Sequence, residues 1–141
     1  AVTSTPAPLL RLAMQPARLT GFGAWAARQA RATGPGTDPA DLAPYLRHIA
    51  DADVAVMIRL IDAMRRHSAA DHLRRITAPT LICAAGNDTF TPPRCSKQMF
   101  ERIPTAEIQW YSDAGHTLPI EEPAAIVEHV AEWHGRRVAG G

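Results

Sequence analysis

Two residues of this sequence, an aspartate and a histidine, each follow a predicted strand and could act together in acid–base chemistry. The apolar run from Pro79 to Ala85 is typical of a strand buried on both faces of a parallel sheet, and Asp88 follows it closely. A second short run, residues 106–111, leads in the same way to His116. A carboxylate beside an imidazole can hold the ring in one tautomer while the ring accepts and returns a proton. Such a pair would be the acid and the base of a catalytic triad.

The segment between the two runs predicts the geometry that would bring these residues together. Residues from about Pro93 to Arg102 have a helical pattern. If this helix is a right-handed crossover, the two strands run parallel and their carboxyl ends share one edge of the sheet. We therefore expect Asp88 and His116 to lie side by side. Asp113, a rival acid on the same loop as the histidine, is interpreted as a turn residue.

An ordered set of short motifs resembles the C-terminal part of an α/β-hydrolase. The motifs are Leu73-x-x-Ile76-x-x-Pro79-Thr80-Leu81, Gly86-x-Asp88, Ile103-Pro104-x-Ala106, Ala114-Gly115-His116 and Glu122-Pro123. They cover roughly residues 70 to 134, and their order is more specific than any one of them. In that family the nucleophile comes first along the chain, then the acid, then the histidine. The resemblance therefore implies that Asp88 is the acid and His116 the base.

The nucleophile of that family has no counterpart in this sequence. The family places it on a Gly-x-Ser-x-Gly turn upstream of the acid. None of the four serines lies between glycines on such a turn: Ser4, Ser68, Ser96 and Ser112. Cys83 and Cys95 are interpreted as small buried hydrophobic residues rather than reactive thiolates. We therefore expect the nucleophile, whether serine, aspartate or cysteine, to come from a missing upstream half or from a second chain.

The resemblance implies a reaction once a nucleophile is supplied. That reaction is hydrolysis of an ester, thioester, lactone or amide through a covalent acyl-enzyme, with small ester-like molecules as the expected substrates. With an aspartate nucleophile the resemblance implies hydrolysis of haloalkanes or epoxides instead. Thr117 and Leu118, next to the histidine, are expected to line the mouth of the pocket. No metal or organic cofactor is implied. The alternative is a non-catalytic binding protein that retains a hydrolase-like fold.

Two modules are predicted along the chain, which gives an α/β fold class. Residues 1–70 have a mostly helical sequence pattern and resemble, by their position, the helical cap that α/β-hydrolases insert before the acid-bearing strand. Residues 71–141 form a strand-helix-strand-helix unit, the C-terminal portion of the hydrolase core with a short parallel sheet. Residues 1–6 could be the end of one more strand. So few parallel strands do not make a stable sheet, so we expect a partner segment or chain to complete it.

The predicted helices of the first module have recognisable start signals. Asp38-Pro39 predicts an N-cap followed by proline at the first helical position, although Pro44 favours a start nearer Asp41. Either Asp51 or Asp53 is expected to cap the next helix. That helix carries an apolar stripe, interpreted as core packing and formed by Val54, Met57, Ile58, Ile61 and Met64.

Two further helix starts are predicted in the second half of the chain. Ser68-x-x-Asp71 resembles a capping box that opens a short helix through Ile76. Glu122-Pro123 begins a last helix, which is expected to fray at Gly135. The predicted apolar face of this last helix consists of Ile126, Val127, Val130 and Trp133.

The amino-acid composition is typical of a globular protein. A net charge of +1 with 46% hydrophobic residues indicates a globular protein and argues against electrostatic binding to nucleic acid. The sequence contains neither an apolar run long enough to span a membrane nor the pattern of a signal peptide. Two cysteines without a metal-binding or disulfide spacing suit a reducing compartment. Cytoplasmic localisation is therefore expected.

Overall fold

A computed structural model describes residues 20–30 and 32–139 of the chain. The strand expected at residues 1–6 lies outside this described part. Among the described residues, none of the helices combines the length and the apolar character needed to cross a lipid bilayer.

The described chain forms two compact units, and the smaller one is helical. This unit contains residues 20–27 and 38–68, and the other contains residues 28–30, 32–37 and 69–139. Three helices supply the helical unit, with the end of the first belonging to the other unit. They are α1 (Thr20–Gln29), α2 (Pro39–Asp51) and α3 (Val54–Arg66).

Helix α2 begins at Pro39, so the expected start nearer Asp41 is wrong. The Asp38 side chain accepts a hydrogen bond of 2.8 Å from the Ala40 amide, which caps the helix. Pro39 suits the first turn because an amide there would have no partner in the helix. Pro44 lies inside the helix and, having no amide hydrogen, cannot donate a bond to the Ala40 carbonyl.

Helix α3 confirms one sequence expectation and contradicts another. Asp53 is its cap, because the Asp53 carboxylate accepts bonds of 2.9 and 3.2 Å from the amides of Ala55 and Val56. The interpretation of its apolar stripe as core packing is wrong for Ile58 and Met64, which are 52% and 66% exposed, whereas Val54 and Met57 are half-buried. The buried hydrophobic residues that the structure describes in this unit are Leu42, Ala43, Leu46 and Ala50 of α2, together with Ala24 of α1.

The second unit contains the parallel sheet that the sequence predicts. Strands β1 (Thr80–Ala85) and β2 (Ala106–Tyr111) pair in parallel, in register from Thr80 opposite Ala106 to Ala85 opposite Tyr111. Helix α4 (Pro93–Arg102) connects them as the expected crossover. These three elements have the predicted bounds to within one residue. In place of the short helix predicted before them, the structure has a single 3-10 turn, Leu73–Arg75.

Two helices close this unit after β2, namely α5 (Leu118–Glu121) and α6 (Pro123–Ala139). The sequence did not predict α5, and the expected end of α6 at Gly135 is wrong. The predicted apolar face of α6 is also only partly correct, because Val127 is 68% exposed while Ile126 packs against the core. That core is formed by Ala85, Tyr111, Ala114 and Leu118.

The C-terminal helix is held to β2 by one carboxylate. Glu107 accepts hydrogen bonds of 3.0 Å from the Trp133 indole and from Arg136, and it also pairs with Arg137. The hydrogen bond from Arg137 is the main reason that the pKa of Glu107 lies below its ordinary value, and Arg136 and Trp133 add to the effect. These contacts explain why α6 remains helical through Gly135, since its last turn has partners on the sheet.

Burial predicts a large difference between two leucine substitutions in the helical unit. Leu42 is fully buried, so Leu42→Ala should cost about 2–5 kcal/mol of unfolding free energy through lost burial and a cavity. Leu60 is 57% exposed, and Leu60→Ala should change that free energy by less than about 0.5 kcal/mol. Urea unfolding of both variants measures the difference. Equal effects would contradict the packing of α2 described above.

Candidate active site

The loops that follow β1 and β2 are joined by backbone hydrogen bonds. The Gly86 amide donates to the Tyr111 carbonyl at 2.8 Å, and the Asn87 amide donates to the Ala114 carbonyl at 2.9 Å. Pairing therefore continues beyond the last residues of the strands. As a result, the aspartate loop and the histidine loop are held beside each other at one edge of the sheet.

This close approach requires a glycine at position 86. A Cβ atom at Gly86 would lie 2.3 Å from the carbonyl oxygen of Ser112 and 2.9 Å from its Cα atom. Both neighbours are backbone atoms, which cannot turn aside as a flexible side chain could. The glycine of the Gly-x-Asp motif thus has a packing role in bringing the two loops together.

Asp88 is buried and accepts four hydrogen bonds. Its side chain is 9% exposed. Oδ1 accepts from the amides of Phe90 and Thr91 at 2.8 and 2.9 Å, and Oδ2 accepts from the Thr91 hydroxyl at 2.5 Å. The fourth bond joins Oδ2 to Nδ1 of His116 at 3.0 Å. The structure thus brings together the two residues that the sequence placed at adjacent strand ends.

The environment of Asp88 favours its charged form. Burial by itself would raise the pKa of this carboxyl group, and it is the largest single influence. The hydrogen bonds from Thr91, His116 and Phe90 together outweigh it and lower the pKa below the ordinary value of 3.8. Asp88 is therefore ionised at neutral pH.

An ionised Asp88 determines the tautomer of His116. A carboxylate can only accept hydrogen bonds, so Nδ1 of His116 must be the donor and carry the proton. Nε2 of the neutral ring then has its lone pair free to accept a proton, and within the described residues it has no hydrogen-bond partner. The ring is 36% exposed and lies against Phe90, with 5.0 Å between the ring centroids.

A cavity of about 300 Å³ adjoins the pair and has polar and apolar walls. Of the two residues expected at the mouth of the pocket, Leu118 lines this cavity and Thr117 is not among its lining residues. Thr117 is instead buried and donates its hydroxyl to Glu121 at 2.8 Å. Cys83 and Ser96 also line the cavity, whereas Cys95 is exposed and so is not the buried residue that was expected.

Sequence reasoning missed the residues that hold the acid. Thr91 donates both its amide and its hydroxyl to Asp88, and Phe90 donates its amide and packs on the histidine ring. The spacing Asp-x-x-Thr was the available signal, because aspartate side chains commonly bond to amides two and three residues further along in turns.

The chain belongs to a family of hydrolases. The family model described as "Serine aminopeptidase, S33" matches residues 43–123, more than half of the chain. The fold described above is that of a partial α/β-hydrolase, as its similarity to solved α/β-hydrolase structures shows.

Two solved structures illustrate the similarity. An α/β-hydrolase from the metagenome of lagoon sediments at Mar Chica, Morocco, is 26% identical, with a TM-score of 0.55 over 60% of this chain and 39% of that one. An α/β-hydrolase from a Medee basin deep-sea metagenome is 21% identical, with a TM-score of 0.61 over 91% of this chain and 51% of that one. The second similarity concerns the fold alone.

Two curated relatives are 28% and 26% identical to this chain over the parts that match. A protein of Caulobacter vibrioides named "Putative carbamate hydrolase RutD" is 28% identical over 78 residues, which are 55% of this chain and 29% of that protein. A protein of the same name from Stutzerimonas stutzeri is 26% identical over 87 residues, 59% of this chain and 33% of that protein. The chain therefore spans about a third of the length of the curated relatives it matches.

The contact at Gly86 predicts that a single added methyl group will disturb the site. Gly86→Ala forces the Ser112 backbone to move and should cost about 1–3 kcal/mol of unfolding free energy, as overpacking does. Gly36→Ala is the matched control, because a Cβ there meets no atom within 4 Å. Urea unfolding gives the free energies. A Gly86→Ala protein as stable as the Gly36→Ala control would contradict the close approach of the two loops.

The lowered pKa of Asp88 predicts a dependence of stability on pH. Its folded pKa lies below 3.8, so its stabilising contribution is complete above that value and is lost as the pH falls through the folded pKa. An Asp88→Asn variant has no such titration. The difference in unfolding free energy between the wild type and this variant should thus be constant near neutral pH and should narrow below about pH 3.8. A constant difference in acid would argue against the depressed pKa.

Proposed function

We propose that Asp88 and His116 are the acid and the base of a hydrolase that acts through a covalent acyl-enzyme. The proposal rests on one observation, the 3.0 Å hydrogen bond between Oδ2 of the buried aspartate and Nδ1 of the histidine. Membership of the hydrolase family supports it. The nucleophile in this proposal belongs to a segment outside these 141 residues or to a partner chain.

The geometry supports a defined role for each group in the reaction. Nε2 of His116 takes the proton of the nucleophile as it attacks the carbonyl carbon and then returns that proton to the leaving group. The ring is positively charged between these two steps. Asp88 stabilises that charge because its own hydrogen bonds keep it ionised, and it prevents the ring from turning. Water then attacks the acyl-enzyme, with His116 again acting as base.

The proposed substrates are small molecules whose acyl group can be transferred to the nucleophile of the enzyme. Esters, thioesters, lactones and amides belong to this class. We add carbamates to this class because the curated relatives are named as putative carbamate hydrolases. The mixed lining of the cavity beside His116, with Leu118 and Ile126 among its apolar residues, is compatible with a short apolar substituent next to the reacting group.

The described sheet supports the proposal that further structure completes the site. It has two strands, so in the described part of the chain β1 and β2 each have one edge without a paired strand. Parallel sheets occur almost entirely with both faces covered and with more strands than this. A segment that carries the nucleophile would also supply the missing strands.

The test is hydrolysis of p-nitrophenyl acetate by the chain fused to, or co-expressed with, a nucleophile-bearing segment. Covalent labelling with a fluorophosphonate probe reports the nucleophile in the same sample. We expect the 141-residue chain alone to be neither labelled nor active, and the completed protein to be both. Labelling of the chain alone would contradict the proposed location of the nucleophile, and a completed protein without turnover would favour a non-catalytic binding protein.

In the completed protein, His116→Ala should lower kcat by about 10²–10⁴-fold, the usual contribution of a general base. The matched control is His134→Ala, which removes an exposed histidine from α6. This control should retain wild-type kcat. Circular dichroism checks that both variants are folded. Full activity of a folded His116→Ala protein would remove His116 from the proposed role.

A further inference from the structure

A second carboxylate close to the histidine loop gathers hydrogen bonds from two separate segments. Oε2 of Glu121 accepts from the amides of Gly34 and Gly115, at 2.7 and 2.8 Å. Its other oxygen, Oε1, accepts from the Thr117 hydroxyl at 2.8 Å. Glu121 is thus bonded to the residues on both sides of His116 and to a residue more than 80 positions earlier in the chain.

The segments around this carboxylate are packed too tightly for side chains. A Cβ at Gly115 would lie 2.9 Å from backbone atoms of Thr33, and a Cβ at Gly34 would lie 2.5 Å from Oε2 of Glu121. The segment of residues 33–37 is itself held by a hydrogen bond of 2.7 Å between the hydroxyls of Thr33 and Thr37. The histidine loop therefore packs against residues 33–37, and Glu121 is hydrogen-bonded to both segments.

The two loop contacts restrict the backbone that carries the proposed base. Gly115 precedes His116 directly, so holding the Gly115 amide limits rotation of the peptide at the amino side of the histidine. Thr117 follows it, and its bond to Glu121 limits movement at the carboxyl side. Neither contact touches the imidazole. Any influence on the ring must pass through the position of the backbone.

We infer that Glu121 is a positioning residue, which places His116 so that Nδ1 reaches Asp88. The inference rests on the proposed function of His116 as the base. Glu121 acts through the length of its side chain, because one carboxylate at the end of two methylene groups reaches Gly34 and Gly115 together. Its negative charge is not needed for this role.

Reach and charge can be separated with two substitutions. Glu121→Asp keeps the charge and shortens the side chain by one methylene group, so its carboxylate cannot bond both amides. Glu121→Gln keeps the length and one oxygen for the two amides. Its NH₂ group then faces the Thr117 hydroxyl, which can accept a hydrogen bond as well as donate one. Glu122→Ala is the control, since it removes the adjacent, exposed glutamate.

The experiment is nuclear magnetic resonance of the His116 imidazole in the protein completed by the nucleophile-bearing segment, and this readout does not require turnover. We expect the wild type, Glu121→Gln and Glu122→Ala to show His116 as the Nδ1–H tautomer with that proton protected by Asp88. Glu121→Asp should lose this protected signal while its amide spectrum remains that of a folded protein.

Other outcomes would overturn the inference. Retention of the protected signal in Glu121→Asp, or its loss in Glu121→Gln, would show that reach does not control the ring. Global unfolding of either variant would indicate a general structural role for Glu121 and would likewise reject positioning. A wild-type chain without the protected signal would contradict the proposed acid–base pair itself, so the two failures are distinguishable.

Discussion

The parallel pairing of β1 with β2 is the constraint on which the candidate site depends. Because Ala85 lies opposite Tyr111, both strands end at the same level and their loops leave the sheet together. Two backbone hydrogen bonds then extend the contact into the loops, and the absence of a side chain at Gly86 allows it. A shift of register by one residue would separate the carboxylate from the imidazole and turn the side chains of one strand to the opposite face.

Each member of the candidate pair is held by a different kind of contact. Asp88 receives three of its four hydrogen bonds from Phe90 and Thr91, its own near neighbours, so the charged state of the carboxylate is largely a local property. His116 meets Asp88, which lies 28 residues earlier in the chain, and in our inference its loop is also held by Glu121, which is bonded to Gly34 far upstream. Local hydrogen bonds therefore keep Asp88 ionised, and tertiary contacts place the His116 ring beside it.

The exposed apolar surface and the short sheet have one physical explanation within the proposed function. Helix α3 leaves Ile58 and Met64 largely exposed, and the described sheet has two strands. Apolar surface and unpaired strand edges are unfavourable in water and are normally covered. The chain spans about a third of the curated relatives it matches, so further structure of the hydrolase type could provide that cover.

The sequence by itself determined the crossover, because continuous apolar runs and a helical pattern between them admit few other arrangements. From that topology it also determined that Asp88 and His116 would be neighbours. Only the tertiary structure decided which apolar faces are buried, as Met64 and Val127 show, since amphipathic patterns do not say whether a partner is present. The structure alone also revealed Glu121, because a carboxylate that bonds amides at positions 34 and 115 leaves no periodic signal in the sequence.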